Sequence, residues 1–201
     1  MFAGIVEQLA PVISVTKPQA KSASIELDLG KFGEKVRVGG SISVNGVCLT
    51  VTRKHKGVVA MDVIEETLRV TDLGQLAKGS RVNVERALLP SDRIDGHLVT
   101  GHVDGTGRIS RTTHMADGSV NMWIRAGTEL SSMMVRKGSV AVDGVSLTLV
   151  DVMEDSFSIC LIPRTLTVTT LGRKKQGDLV NIEVDMIGKY VRKFVEEMNI
   201  R

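Results

Sequence analysis

Cys48 and Thr50 stand two residues apart in the stretch VNGVCLTV (44–51), and Ser146 and Thr148 stand two apart in VDGVSLTL (142–149). On a β-strand that spacing puts both members of a pair on one face. A thiol or hydroxyl so placed can hydrogen-bond a substrate or attack it, the thiol needing a depressed pKa and a positive neighbour. A strand cysteine is also a common small buried hydrophobe. Ser41 and Ser139 begin the same two stretches, so each offers small polar groups beside glycine. A second group lies in GHLVTGHVD (96–104), with His97, His102 and Asp104. His-x4-His with one carboxylate is a weak metal pattern. The same residues can do acid–base work on a substrate, or they can be ordinary linker structure. The segment joins two halves of the chain, where ligands prefer to bind. No phosphate-binding loop, dinucleotide fingerprint, metalloprotease or serine-hydrolase motif is present.

The elements that must carry these groups come in duplicate. Residues 41–85 align without gaps on 139–183, with 17 of 45 positions identical, where composition alone gives about two or three. The repeat starts match as well, Gly4-Ile5-Val6-Glu7 against Gly101-His102-Val103-Asp104. The chain is therefore two copies of one domain, 1–97 and 98–186. Within each copy the dominant period is two: SIELDL (24–29), SISVNGVCLTV (41–51) and GVVAMDVI (57–64) read as short strands separated by Gly, Asn and Asp. This predicts an all-β fold, a barrel or a sandwich, with closure attractive because it removes exposed edges. EETLRVTDLG (65–74) and its mate 163–172 can each hold a short helix. The Asn45-Gly46 pair reads first as a hairpin turn, second as a place where backbone approaches a ligand. Residues 187–201 change character: Ile187, Tyr190, Val191, Phe194, Val195 and Met198 recur at helical spacing. That amphipathic helix either packs on its own barrel or pairs with copies of itself.

Of 201 residues, 42% are hydrophobic and 24% charged, and only 3% are aromatic, so the cores are built from Val, Ile, Leu and Met. The net charge of +3 comes with no basic stripe, which argues against nucleic acid as a partner. Two cysteines in non-equivalent places, without CxxC, argue against a disulfide or a cysteine zinc site. MFAGIVEQLA is neither a signal peptide nor a membrane span. The expected location is the cytoplasm.

The motifs MFAGIVE, SVNGVCLTV, EETLR, NVERA, GHLVTGHVDG, AVDGVSLT, LIPRTL and VNIEVDMIGKY occur in that order. Together they resemble the riboflavin synthases of the alpha type, over essentially the whole chain. The resemblance implies two tandem homologous six-stranded Greek-key barrels plus a C-terminal α-helix, assembled as a homotrimer, with lumazine synthase a candidate further partner. It implies transfer of a four-carbon unit between two molecules of 6,7-dimethyl-8-ribityllumazine, giving riboflavin and 5-amino-6-ribitylaminouracil, with no cofactor and no metal. Carried onto this chain, one lumazine site would use Gly4, Ile5, Val6, Cys48, Leu49, Thr50, Asp62, Val63, Ile64, Glu65, Glu66 and Thr67. The other would use Gly101, His102, Val103, Ser146, Leu147, Thr148, Ile162, Pro163, Arg164, Thr165, Leu166 and Thr167. Phe2 would cover the first site or pack in the core, and Lys137 would reach across a subunit boundary. His102 is the expected acid–base group, with Ser41, Cys48, Ser146 and Thr148 positioning or activating and Asp185 assisting. Asp95 stands where the family often has glycine, a change confined to a loop. Lumazine proteins share this fold but hold a ligand without turning it over, and they tend to lose the thiol and GH motifs that this chain keeps.

Overall fold

A computed structural model describes residues 1–19 and 22–199. Among these described residues twelve strands form two closed barrels. The first holds β1 (Gln8–Gln19), β2 (Ser22–Asp28), β3 (Ser41–Val44), β4 (Val47–His55), β5 (Val58–Ile64) and β6 (Arg81–Arg86), closing in the order β1-β2-β5-β4-β3-β6. The second repeats that order with β7 (Gly105–His114), β8 (Val120–Arg125), β9 (Ser139–Val142), β10 (Val145–Val152), β11 (Ser156–Leu161) and β12 (Leu179–Val184). The helices are α1 (Gly30–Gly33), α2 (Glu65–Val70), α3 (Thr128–Ser131), α4 (Pro163–Val168) and α5 (Met186–Asn199). Ile200 and Arg201, the end of the expected terminal helix, lie outside the described residues.

The period-two reading becomes the inside and outside of each barrel. Val47, Leu49 and Val51 of β4 point into the core, while Cys48, Thr50 and Thr52 face out. The cores are as aliphatic as the composition requires, although Phe157 is fully buried in the second. Each buried Val, Leu or Ile contributes about 1.5–3 kcal/mol. The stretch 65–74 is not one helix: α2 stops at Val70, and a 3₁₀ turn follows at Asp72–Gln75. Extended backbone at Thr71 separates them, its side chain accepting the Leu73 N–H and donating to the Thr67 carbonyl. Thr169 does the same in the second barrel.

Asn45-Gly46 and Asp143-Gly144 are two-residue hairpin turns with positive φ at both positions, 46° and 82° in the first, 47° and 75° in the second. That is the turn whose twist suits a β-hairpin. The close approach that glycine permits is made to the other repeat, not to a ligand: a Cβ on Gly46 would sit 2.7 Å from the Gly144 nitrogen, and one on Gly144 2.7 Å from the Gly46 nitrogen. The turns meet at a pseudo-two-fold axis lined by buried polar groups. Asn83 donates to the Asp143 carbonyl and the Thr170 hydroxyl, and Asn181 donates to the Asn45 carbonyl and the Asp72 carboxylate. Asn45 donates to Asp72.

Asp72 and Asp143 bring two carboxylates into this buried place, and Lys174 answers both at 3.3 Å and 2.8 Å. Burial pushes Asp143 up to about 6, against the lowering pull of Lys174. Burial works to lower Lys174, and the two carboxylates overcome it and raise it. Removing one partner of a buried pair leaves an uncompensated charge, so Lys174→Met is expected to cost about 3–5 kcal/mol. Urea denaturation at neutral pH measures this; a loss within about 0.5 kcal/mol, the scale of an ordinary surface change, shows the contact to be dispensable.

Candidate functional site

In each barrel one strand pair comes apart. β4 and β5 pair from His55↔Val58 to Val51↔Met61 with one bulge between Val51 and Arg53, and no pair continues toward Cys48. The matching pair β10 and β11 ends at Leu149↔Ile159, short of Ser146. The freed edge of each strand is met by a segment from outside its barrel. Cys48 N–H donates to the Gly101 carbonyl, and Ser146 N–H donates to the Gly4 carbonyl, both at 2.8 Å. Val103 packs on the first core and Val6 on the second.

This corrects the grouping expected from the sequence. Gly4, Ile5 and Val6 do not join Cys48, Leu49 and Thr50; they lie with Ser146, Leu147 and Thr148. Gly101, His102 and Val103 lie with Cys48. The two leader segments cross, and the reason is visible at their base. Phe2 and Val99, which are repeat mates, exchange N–H···O bonds at 2.7 and 3.0 Å. Each leader thereby passes the axis and reaches the opposite barrel. Gly4 and Gly101 have φ of 75° and 82°, and a Cβ on either would come 2.6 Å from the Cβ of Ser146 or Cys48. Glycine is required at both.

The first cleft is thus Cys48–Thr50 with Gly101–Val103 and the diverging stretch 62–67. Asp62 and Ile64 are exposed, Leu49 and Val63 are buried, and Thr67 is half-buried on α2. Glu66 pairs with Arg69 at 2.6 Å, and the hydrogen bond from Arg69 holds its carboxyl below the usual range. Phe2 is fully buried beside Cys48, Val99 and Ala141, so it is packing that also walls the thiol. The second cleft is Ser146–Thr148 with Gly4–Val6 and 162–167, where Thr165 and Leu166 are half-buried and Ile162, Pro163, Arg164 and Thr167 exposed. Ser41 pairs with Thr50 in the ladder but opens onto a cavity of about 710 Å³ lined by Ile5, Arg37, Glu85 and Leu89, and Cys48 is outside that lining. Lys137 is exposed in the turn before β9.

The clefts differ where chemistry would differ. Ser146 Oγ lies 2.7 Å from His97 Nδ1. Burial holds the His97 ring below its usual 6.5, against the raising pull of Asp185 and Glu183. A neutral imidazole beside a hydroxyl can take its proton. His102, expected in this role, is exposed, and its backbone N–H donates to the Thr100 hydroxyl. Asp185 caps α5 by accepting the Ile187 N–H. Asp104 pairs with Lys189 at 2.6 Å, away from His97. Among the described residues no group of three or more His, Cys, Asp or Glu is placed to hold a metal ion, and both cysteines are free.

Comparison with known proteins decides what such clefts belong to. The lumazine binding domain family matches residues 3–87 and again 100–185. The riboflavin synthase of Actinobacillus pleuropneumoniae is 42% identical over 97% of this chain and 90% of its own length. That of Bacillus subtilis is 42% identical over 99% of this chain and 92% of its own. The chain belongs to the riboflavin synthase family. A solved structure of LumP with riboflavin superposes with a TM-score of 0.85, covering 92% of this chain and all of that one. Its identity of 24% carries the likeness of fold alone.

Two features of this riboflavin synthase family member escaped the sequence reading. His97 was visible as a histidine but not as the partner of Ser146, because that contact spans 49 residues. Glu85 and Glu183 were missed although they are identical in the two repeats, which was the available signal. Glu85 accepts the N–H groups of Ala3 and Gly4 at 2.7 and 3.1 Å, and Glu183 those of Thr100 and Gly101 at 2.7 and 2.9 Å.

The lowered His97 has a thermodynamic consequence. The unfolded chain binds that proton near 6.5 and the folded chain only at lower pH, so folding loses stability as pH falls below 6.5. Glu85, raised to about 7 by burial, acts oppositely, losing stability as pH rises from 4.5 to about 7. Comparing urea stability of wild type and His97→Gln between pH 7 and pH 5 isolates the first contribution. The variant is expected to lose less on acidification, and parallel curves would place the proton elsewhere.

Proposed function

We propose that this chain catalyses the dismutation of two 6,7-dimethyl-8-ribityllumazine molecules to riboflavin and 5-amino-6-ribitylaminouracil by transfer of a four-carbon unit. The observation that carries this reading is the pair of clefts: homologous in build, different in their reactive groups. Two copies of one substrate need two similar recognition sites. A donor and an acceptor need those sites to differ. Ser146 backed by a neutral His97 differs from Cys48 walled by Phe2 in that sense. Two lumazines contain together the atoms of both products, so the reaction needs no external oxidant or reductant.

The C7 methyl of the lumazine is acidic because its carbanion delocalises into the ring. The Ser146–His97 pair moves a proton at one bound ring, and exposed His102, on the leader over Cys48, serves the other. Such help contributes about 10²–10⁴-fold. Holding two flat rings face to face lowers the barrier by about 7–11 kcal/mol in favourable cases. Backbone groups along the parted edges of β4 and β10 read the pyrimidine rim, and Thr67 and Thr165 hold the ribityl chains. Ser41, Thr50 and Thr148 position, and Asp185 acts through the field it exerts on His97. With purified protein, lumazine and a metal chelator, flavin absorbance is expected to rise over many turnovers. Bound but unchanged lumazine would make the chain a ligand-holding relative. Cys48→Ser is expected to lower kcat more than it raises KM; an unchanged kcat would make the thiol structural.

We further propose that segments 1–97 and 98–186 act as the two lumazine-binding halves, that 187–201 assembles the chain as a homotrimer, and that the protein works in the cytoplasm. The support for assembly is how α5 lies. Its polar side faces the second barrel: Lys189 pairs with Asp104, and Arg192 donates to the Glu129 carbonyl and the Ser132 hydroxyl. Its apolar side is left out, with Ile187, Tyr190, Val191, Phe194, Val195 and Met198 between 50% and 75% exposed. In a trimer, a first cleft of one copy faces a second cleft of its neighbour, and Lys137 crosses that boundary. Phe194→Asp is expected to reduce the mass seen by light scattering to that of a monomer, and an unchanged mass would reject the helix as the joint. Among the described residues no helix is long and apolar enough to cross a membrane.

A further inference from the structure

Glu85 and Glu183 are almost fully buried, at 5% and 4% exposure, and Glu85 also lines the cavity shared by Ser41 and Ile5. Glu85 lies on β6 opposite Ser43, in the first barrel. Glu183 lies on β12 opposite Ala141, in the second. Each carboxylate spreads its two oxygens over consecutive backbone N–H groups, Ala3 and Gly4 for one, Thr100 and Gly101 for the other. Glu183 also accepts the Thr100 hydroxyl at 2.7 Å. The peptide units so held are those whose next polar group touches the clefts. Gly4 gives its N–H to Glu85 and its carbonyl to Ser146, and Gly101 gives its N–H to Glu183 and its carbonyl to Cys48.

We propose that Glu85 and Glu183 are positioning residues that set the two clefts crosswise, Glu85 of the first barrel holding the leader over Ser146 and Glu183 of the second holding the leader over Cys48. An ionised carboxylate is the group this task needs, and Glu85, raised to about 7 by burial, takes that form above pH 7, where the tests below are run. It only accepts, and two N–H groups on adjacent residues face its two oxygens as they would a bidentate donor. An amide in its place presents one oxygen and an NH₂ that opposes the second N–H. Cleft geometry is then shared between barrels: a leader shift in one barrel's clamp moves the floor of the other barrel's site. The proposal rests on the site reading above for its catalytic consequence, but not for its geometry.

Backbone amide hydrogen exchange on the whole chain, without substrate, tests the geometry. Glu85→Gln is expected to speed exchange at Gly4 and Ser146 by about tenfold, the scale of one lost hydrogen bond, while Gly101 and Cys48 keep wild-type rates. Glu183→Gln is expected to give the mirror image. Loosening at both clefts by either variant, at neither, or at the same-barrel cleft overturns the proposal. Glu85→Asp, which keeps the charge and falls one methylene short, replaces the amide variant should that fail to fold, with the same expected pattern. Kinetics on folded protein test the consequence. Glu85→Gln and Ser146→Ala are expected to be non-additive in kcat/KM, whereas Glu85→Gln and Cys48→Ser add; the pairing reverses for Glu183→Gln. Crossed exchange with unaltered kcat and KM, while Cys48→Ser or Ser146→Ala still lowers kcat, overturns the positioning role. If those two leave kcat unchanged as well, the site reading is what fails.

Discussion

Everything in this molecule hangs on two glycines that touch. Gly46 and Gly144 bring two hairpin turns so close that neither has space for a Cβ. A dry backbone contact of that kind is stable only if the neighbouring polar groups find partners, since each unsatisfied buried group costs about 1–3 kcal/mol. The side chains of Asn45, Asn83, Asn181, Asp72, Asp143 and Thr170 supply them, Asn83 and Asn181 each donating to the other repeat and Asn45 and Thr170 within their own. This network fixes where β4 stands relative to β10. The Phe2–Val99 pair then carries the residues before β1 and β7 across the axis.

Crossing turns two barrels into one functional unit. A freed strand edge on each barrel is a liability unless its backbone groups are met. Here the N–H of Cys48 and that of Ser146 are met by a glycine carbonyl delivered from the other side. The edges remain parted beyond that point, between β4 and β5 and between β10 and β11, and these openings are where we propose that the two flat rings lie. The sites are therefore products of the interface between repeats, and neither is complete within a single strand order.

Duplication explains the likeness of the clefts, and divergence at a few positions explains their difference. Asn45 became Asp143 in the mate, Asp72 corresponds to Thr170, and Leu76 to Lys174. Those exchanges place two buried carboxylates and one buried ammonium at an axis that a perfect repeat would make symmetric. Charge balance then favours one first barrel against one second barrel, because two first barrels would bring two Asp72 carboxylates and no lysine. Near the sites the divergence is equally small: a thiol against a hydroxyl, with His97 placed at the hydroxyl.

Much of this was legible in the residues. The alternation around Cys48 and Ser146 gave strands with the polar groups outward, the self-alignment gave the tandem repeat, and Asn-Gly gave the hairpin. The helical spacing after residue 186 gave α5. These are local properties, dictated by side-chain period and turn chemistry within a few residues. What the sequence could not reveal was which repeat a segment serves. Gly4 is near β1 in the chain and near Ser146 in space; His97 and Glu85 act 49 and 81 residues away. A self-alignment matches each leader to its own barrel by construction, so it points to the wrong cleft. Only the packed axis, where backbone meets backbone between Gly46 and Gly144 and between Phe2 and Val99, settles that the leaders exchange partners.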